Sequence, residues 1–305
     1  MRRLHARYLG LPPNSQAALL ILANAILMAF LVLVVRRVGE TVPTMMIVFF
    51  RNFFGLLIVL PVALVYLNTM RTKALDLHLW RGGLTVASMA AYYWSYSHLM
   101  LAETTALVFT MPLFLIVVSA VALGEKVRWR RTTATVVGFI GVLVIVRPGA
   151  DFEWGLLAPL SVGLIDAVVG LLVRQAALRD RLLTVMVYMS FCTLAFAALP
   201  AAIEWQTPTL HEAGLLFVIA AISTLSQIFT VTAWRVGEAT AVAPVNYVQI
   251  LVIAISGYLA YGEVPSIWTA LGATIIAAST FYIVRRASQL RARAVQATSS
   301  SSTNK

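Results

Sequence analysis

Charge is what this chain has least of. Only 11% of its 305 residues are Asp, Glu, Lys or Arg, against roughly 25% in a soluble domain. With 60% of residues hydrophobic and a mean hydropathy of +0.87, water is not the solvent this surface requires. Acidic residues are scarcer still, 12 against 23 Lys and Arg. The resulting net charge of +11 does not indicate nucleic acid, because the basic residues lie between hydrophobic runs and form no single patch. Cysteine is nearly absent. Cys192 alone, inside an apolar run, excludes a disulfide framework and a cysteine metal site, and reads as a packing residue. There is no HExxH motif, no second mid-membrane Asp to make a dyad with Asp166, and no Ser/His pair at depth, so an intramembrane enzyme is not expected. Neither a cofactor nor a metal is expected.

Hydrophobic length is what the chain has in excess. A hydrocarbon core about 30 Å thick needs roughly 20 apolar residues as a helix. Ten segments qualify: 16–35, 44–67, 82–100, 103–123, 132–147, 154–174, 183–203, 212–234, 239–261 and 266–284. Pro12-Pro13 precede the first, Pro43 the second, and Arg147-Pro148-Gly149 close the fifth. The first is long and lacks a small-residue cleavage site, so it reads as an uncleaved helix rather than a signal peptide. With the N-terminus inside, the cytoplasmic segments hold 19 Lys/Arg, the outer loops hold 3, and Arg51 lies within a helix. This bias places both termini in the cytoplasm of a multi-pass inner-membrane protein.

The chain also resembles itself when it is laid over a copy shifted from Gly124 to Gly262. Gly124-Glu125 then falls on Gly262-Glu263, Ile145-Val146-Arg147 on Ile283-Val284-Arg285, and Val35-Arg36 on Val173-Arg174. With the shift shortened by three positions, Ala102-Glu103-Thr104-Thr105-Ala106 resembles Gly237-Glu238-Ala239-Thr240-Ala241. Four segments follow: 1–15, cytoplasmic; 16–149, the first repeat with helices one to five; 150–286, the second with helices six to ten; and 287–305, a basic, Ser/Thr-rich tail expected to be disordered. Five helices is an odd number, so the second repeat inserts upside down. The expected fold is therefore all-α and integral to the membrane, with ten transmembrane helices in a 5+5 inverted-topology repeat, an arrangement that brackets a central site in many secondary transporters.

Polar residues at depth are the candidates for that site, because a charge at the bilayer centre costs about 2.5–3.5 kcal/mol on insertion scales. Arg51 and Asp166 are both expected near mid-depth, and their repeat partners are Met189 and Met28. They read either as a substrate-binding Arg and a titratable coupling Asp, or as a pair neutralising each other. Ser88, Tyr92 and Ser95 share one helical face, and at the shorter shift their partners are Ser223, Gln227 and Thr230. Such stripes face a cavity or bond between helices. Asn246 and Gln249 share a face with Ile253 and Ser256 and are either ligands or interhelical contacts. Tyr92 is placed to stack on a substrate or cation, whereas Trp94 and His98 read as interfacial residues. Glu103, Glu125, Glu238 and Glu263 sit at helix ends and read as structural. Gly138 and Gly141, with Ala134, indicate close helix packing and offer a possible homodimer face.

The phenylalanine-flanked Arg of IVFFRNFF (47–54), MPLF (111–114), the two Gly-Glu dipeptides and VVGFIGVLVI (136–145) together resemble the drug/metabolite transporter superfamily, with two EamA-type domains over about 16–286. IVFFRNFF, LIDAVV (164–169) and the stretch from Pro244 to Glu263 are similar to the branch of S-adenosylmethionine uptake permeases. Asn246 and Gln249 depart from that branch, which tends to carry charged residues there. The resemblance implies ten helices around a central cavity and transport of amino acids, nucleobase-like metabolites, riboflavin or metallophores.

The expectation is thus a secondary transporter, most readily an exporter of a small polar carboxylate-bearing metabolite such as an amino acid or metallophore. Arg51, Tyr92, Gln227, Asn246, Gln249, Ser88 and Ser223 would bind the substrate and Asp166 would couple transport to protons. The alternative is an importer of S-adenosylmethionine, riboflavin or a nucleoside-like metabolite; a channel suits inverted repeats less well. The partners expected are the small-molecule substrate and the lipid bilayer.

Overall fold

A computed structural model describes residues 12–65, 72, 74–124, 129–147, 153–180, 182–237 and 245–302. Among these no strand occurs. The helices are α1 (Pro13–Val38), α2 (Thr44–Val65), α3 (Leu75–His98), α4 (Leu101–Val108), α5 (Met111–Leu123), α6 (Trp129–Val146), α7 (Leu157–Arg179), α8 (Leu182–Ile203), α9 (Leu210–Val236), α10 (Val248–Tyr261) and α11 (Ile267–Ser302). Four stretches are long and apolar enough to cross a membrane: Pro13–Val38, Leu101–Ala122, Trp154–Val173 and Leu210–Ala233. Shorter apolar helices lie in α2, α6, α8, α10 and α11. Of the spans expected from sequence, only α3 is in neither group, because it carries the polar residues that matter most below.

The fourth span is broken. Pro112 lies in the first turn of α5, where its missing N–H and its ring's clash with the carbonyl four residues back forbid a continuous helix. Phe109 and Thr110 therefore separate α4 from α5. The second repeat breaks at the same place: Tyr247 is a turn and α10 starts at Val248. Phe109 and Tyr247 are repeat partners at the same shift as Gly124 and Gly262, and their rings touch with centroids 5.3 Å apart. The two breaks meet at the centre, on the axis that exchanges the repeats.

Packing follows the same exchange. α1 lies on α9 and α10, while its counterpart α7 lies on α3, α4 and α5; α2 packs on α9, and its counterpart α8 on α3. The dipeptides at 124–125 and 262–263 explain how each repeat ends a helix. Gly124 has φ 63° and ψ 20°, and Gly262 φ 68° and ψ 19°. Both are left-handed helix stops that favour glycine. The third helices differ in length. α3 has 24 residues and α9 has 27, so their first residues are related by the shorter shift and their C-caps, Leu99 and Gly237, by the longer.

The close helix packing expected at Gly138 and Gly141 is made within the chain. A Cβ on Gly138 would lie 2.6 Å from Leu113, and one on Gly141 would lie 2.9 Å from the Gly272 carbonyl oxygen. α6 and α11 cross backbone against backbone. α11 runs on to Ser302; the Ala-, Arg- and Gln-rich stretch after residue 286 has high helix propensity and extends a helix already nucleated.

Candidate functional site

α3 carries polar groups at three levels. Ser88 and Met89 lie halfway along it, with His78 toward its start and Leu99 just past its end. From His78 to Leu99 a helix rises roughly 30 Å, the thickness of a hydrocarbon core.

At the middle level α3 gathers two of the sequence candidates. Ser88 Oγ donates to Asp166 Oδ1 of α7 at 2.6 Å. One residue on, Met89 Sδ accepts from Arg51 Nη1 of α2 at 3.8 Å and from Asn52 Nδ2 at 3.5 Å. Arg51 Nη1 also donates to Asn52 Oδ1 at 3.2 Å, while its Nε is buried and has no partner. Arg51 and Asp166 therefore do not neutralise each other. Each is half-buried beside α3 without an opposite charge, among the described residues. A half-buried cation held, among the described residues, by an amide and a thioether is costly to keep, which separates this arrangement from one built for stability.

Asp166 also borders the broken fourth span. On α7, a Cβ at Gly163 would lie 2.5 Å from Thr110 Oγ1 and 3.1 Å from the Met111 nitrogen, and one at Gly170 would touch Met111. The glycines admit the break against α7, one on each side of the carboxylate. Across the axis, Asn246 and Gln249 flank the second break, each half-buried. Neither amide makes a hydrogen bond with a described residue, so both keep their bonding capacity.

The polar stripes are only partly as expected. Ser88 bonds between helices, but Ser95 turns back to the Ala91 carbonyl at 2.6 Å. Tyr92 packs edge-on against Tyr96 at 4.6 Å and Tyr93 at 5.6 Å. In the second repeat, Ser226 rather than Ser223 plays the part of Ser88: its Oγ donates to Asn24 Oδ1 at 2.6 Å and to Met28 Sδ at 3.3 Å. Ser88 maps onto Ser226 and Met28 onto Asp166 at the single shift that maps Gly124 onto Gly262. Ser223 is buried with its hydroxyl unpartnered. Gln227 shares a face with Leu216, Ala220 and Ser223, all buried, yet is itself exposed.

Both ends of α3 carry ties between the repeats. At the far end, Arg36 of α1 forms an ion pair with Glu263 and donates to the Leu99 carbonyl at 3.2 Å, with its guanidinium 4.6 Å above the Tyr261 ring. Glu263 also accepts from the Leu101 N–H at 2.9 Å, and Glu103 accepts from Thr269 at 2.7 Å. At the near end, His78 Nε2 lies 3.0 Å from Asp180 Oδ2. Glu125 and Glu238 lie outside the described residues. His98 is exposed and stacked on Trp94.

A pocket of about 300 Å³ opens beside the far tie, lined by His98, Glu103, Arg147 and Glu153 among others; a larger groove runs between α6 and α11. Neither is lined by Arg51, Ser88, Met89 or Asp166. Asn24, Asn52, Met89, Ser226 and the touching breaks were missed in the sequence; the repeat shift, carried unchanged through α9, identifies Ser226, and Pro112 marks its break.

The profile of the EamA-like transporter family matches residues 15–147 and 153–285. Among curated proteins, the chain is 31% identical over 254 residues to an S-adenosylmethionine uptake transporter of Rickettsia prowazekii, covering 82% of this chain and 85% of that one. It is 32% identical over 237 residues to a riboflavin transporter of Vibrio cholerae, covering 75% and 80%. It is 29% identical over 260 residues to a pseudopaline exporter of Pseudomonas aeruginosa, covering 82% and 89%.

Proposed function

Since the chain belongs to the EamA-like transporter family, and so is a multi-pass membrane transporter, we propose that it moves a small amphoteric metabolite, an amino acid or amino-acid-derived compound, across the inner membrane by alternating access, with both termini in the cytoplasm. One observation carries the substrate class. Arg51 and Asp166 reach adjacent residues of α3 and are not paired with each other. A substrate carboxylate would take the free guanidinium donors through charge-assisted hydrogen bonds, and a cationic centre on the same molecule would lie near Asp166. Tyr92, Ser88, Ser223, Gln227, Asn246 and Gln249 complete the lining. Asp166 also serves as the group through which protons couple to transport.

Export is the direction expected from sequence, and the pseudopaline exporter supports it. A second reading, import of S-adenosylmethionine, is favoured by the Rickettsia relative; that compound bears a carboxylate, an ammonium and a sulfonium, so the same two charges suit it. Counterflow in proteoliposomes tests both. Trans-stimulated exchange of S-adenosylmethionine or of amino acids, lost in Arg51→Gln, is the expected result. Exchange of neutral riboflavin that is indifferent to Arg51→Gln would sink the amphoteric substrate. Gradient dependence left intact in Asp166→Asn would remove the coupling role.

A further inference from the structure

Gly141 and Gly272 bring α6 and α11 together backbone against backbone. The two helices run antiparallel, and toward Trp129 and Tyr282 they part, leaving a groove of about 570 Å³. Trp129, Ala134 and Val137 form one wall, and Ala278, Ser279 and Tyr282 the other. α6 and α11 pack chiefly on each other, and Val136, Ile140 and Leu143 of α6 remain exposed. In a membrane protein that apolar surface faces lipid, and the groove opens on it.

We infer that the groove binds an anionic phospholipid, with an acyl chain between α6 and α11 and the phosphate among the arginines at its mouth. Charge selects the headgroup. Arg130 and Arg131 lie in the first turn of α6, and Arg285 and Arg286 follow Tyr282 on α11, with Arg291 and Arg293 beyond. No Asp or Glu occurs in α5, α6 or α11. The sequence before α6 adds Lys126, Arg128 and one acid, Glu125. Arg285 is exposed and forms no ion pair among the described residues. Clusters of Lys and Arg at the ends of membrane-spanning helices draw anionic headgroups, and a guanidinium keeps its charge at every physiological pH.

An apolar groove in a bilayer gains little by exchanging one hydrocarbon neighbour for another, so selection falls to polar contacts. Ser279 supplies a second one. It is 5% exposed, lines the groove, and its hydroxyl has no partner among the described residues. In hydrocarbon an unsatisfied hydroxyl is costly, and the ester carbonyl of a seated lipid can accept from it. Ser279, Tyr282 and Arg285 succeed one another by single turns of α11, spanning roughly 9 Å. Hydroxyl, interfacial ring and cation thus stand in the order in which a phospholipid runs from its ester to its phosphate.

The inference requires only the membrane setting, so its test is separate from that of substrate and direction. The full chain is reconstituted in phosphatidylcholine vesicles doped with dibrominated phosphatidylglycerol or dibrominated phosphatidylcholine. Bromine quenches tryptophan on contact, and subtracting the signal of the Trp129→Phe protein isolates Trp129, one of 7 Trp, in the groove wall. This signal should be half-quenched at a far lower mole fraction of the anionic lipid than of the neutral one. Arg285→Gln should remove about fivefold of that preference, whereas Arg179→Gln, an exposed arginine of α7, should leave it unchanged. Ala278→Leu fills the groove with every charge in place and should bring the two lipids close to parity. Equal quenching by both lipids in the wild type overturns the proposal, as does a preference that Arg179→Gln lowers as much as Arg285→Gln. A preference unmoved by Ala278→Leu would reduce the site to lipid gathered at a basic surface, and overturns it too. Shielding of Trp129 from both lipids, with a doubled protein mass in analytical ultracentrifugation, would give the groove to a second copy instead.

Discussion

Gly272→Ala is the sharpest probe of how this bundle is held together. A Cβ at that position would lie 2.5 Å from Ile145 Cγ1 and 2.6 Å from the Gly141 carbonyl oxygen. Ordinary contact begins near 3.4 Å, so the carbonyl must retreat by about 0.8 Å, the difference of those two values. Ile145 can turn aside, but a carbonyl fixed in α6 cannot. The two helices must part along their crossing, a strain of about 1–3 kcal/mol. Alanine in place of glycine within a helix returns about 1 kcal/mol, leaving a net loss of up to about 2 kcal/mol. Gly214→Ala is the control, because nothing lies within 4 Å of its Cβ, and only the propensity gain remains. Thermal unfolding of the purified protein in detergent should place the Gly272→Ala midpoint several degrees below that of Gly214→Ala, at about 2–4 °C per kcal/mol for large domains. Equal midpoints would refute the close crossing. A change in oligomeric mass without a change in midpoint would move the glycines to an interface between copies.

Three further outcomes follow from the site. Arg51→Gln should raise KM for carboxylate substrates by at least about tenfold, the weight of one hydrogen bond to a charged group, whereas Arg51→Lys should recover part of it; initial-rate transport separates the two. Gly163→Ala should lower the thermal midpoint and transport together, through the 2.5 Å approach to Thr110; full activity would show that the break can move aside freely. Glu263→Gln and Arg36→Gln, with side chains 12% and 22% exposed, should be coupled by about 1–3 kcal/mol in a double-mutant cycle of stability, between exposed and buried pairs. Additive losses would mean that the tie is incidental.

Helix positions and the duplication were legible in the sequence because both are written in local features: apolar length, Pro12-Pro13, Pro43 and the two Gly-Glu stops. Arg51 and Asp166 were legible as out-of-place charges. Their relation was not, since whether two charges at similar depth meet depends on rotation about helices far apart in sequence. The true counterpart of Ser88 was not legible for a similar reason. α9 is longer than α3, and a string of letters does not say on which side of Ser226 the register changes. The break at Tyr247 gave little local signal; its counterpart at Phe109 is marked by Pro112.

The ring contact between Phe109 and Tyr247 has a thermodynamic consequence. Under the alternating access proposed above, the halves exchange conformations and a contact on the exchange axis maps onto itself. It stabilises the inward-open and outward-open forms equally and contributes nothing to the difference between them. Every off-axis contact, by contrast, has a counterpart that opposes it. Ser88–Asp166 is set against Ser226–Met28, a hydrogen bond to a carboxylate against one to a thioether. On that mechanism the resting preference for one side of the membrane lies in those mismatched pairs, and substitutions at Phe109 or Tyr247 should change how fast the two forms interconvert more than which one prevails.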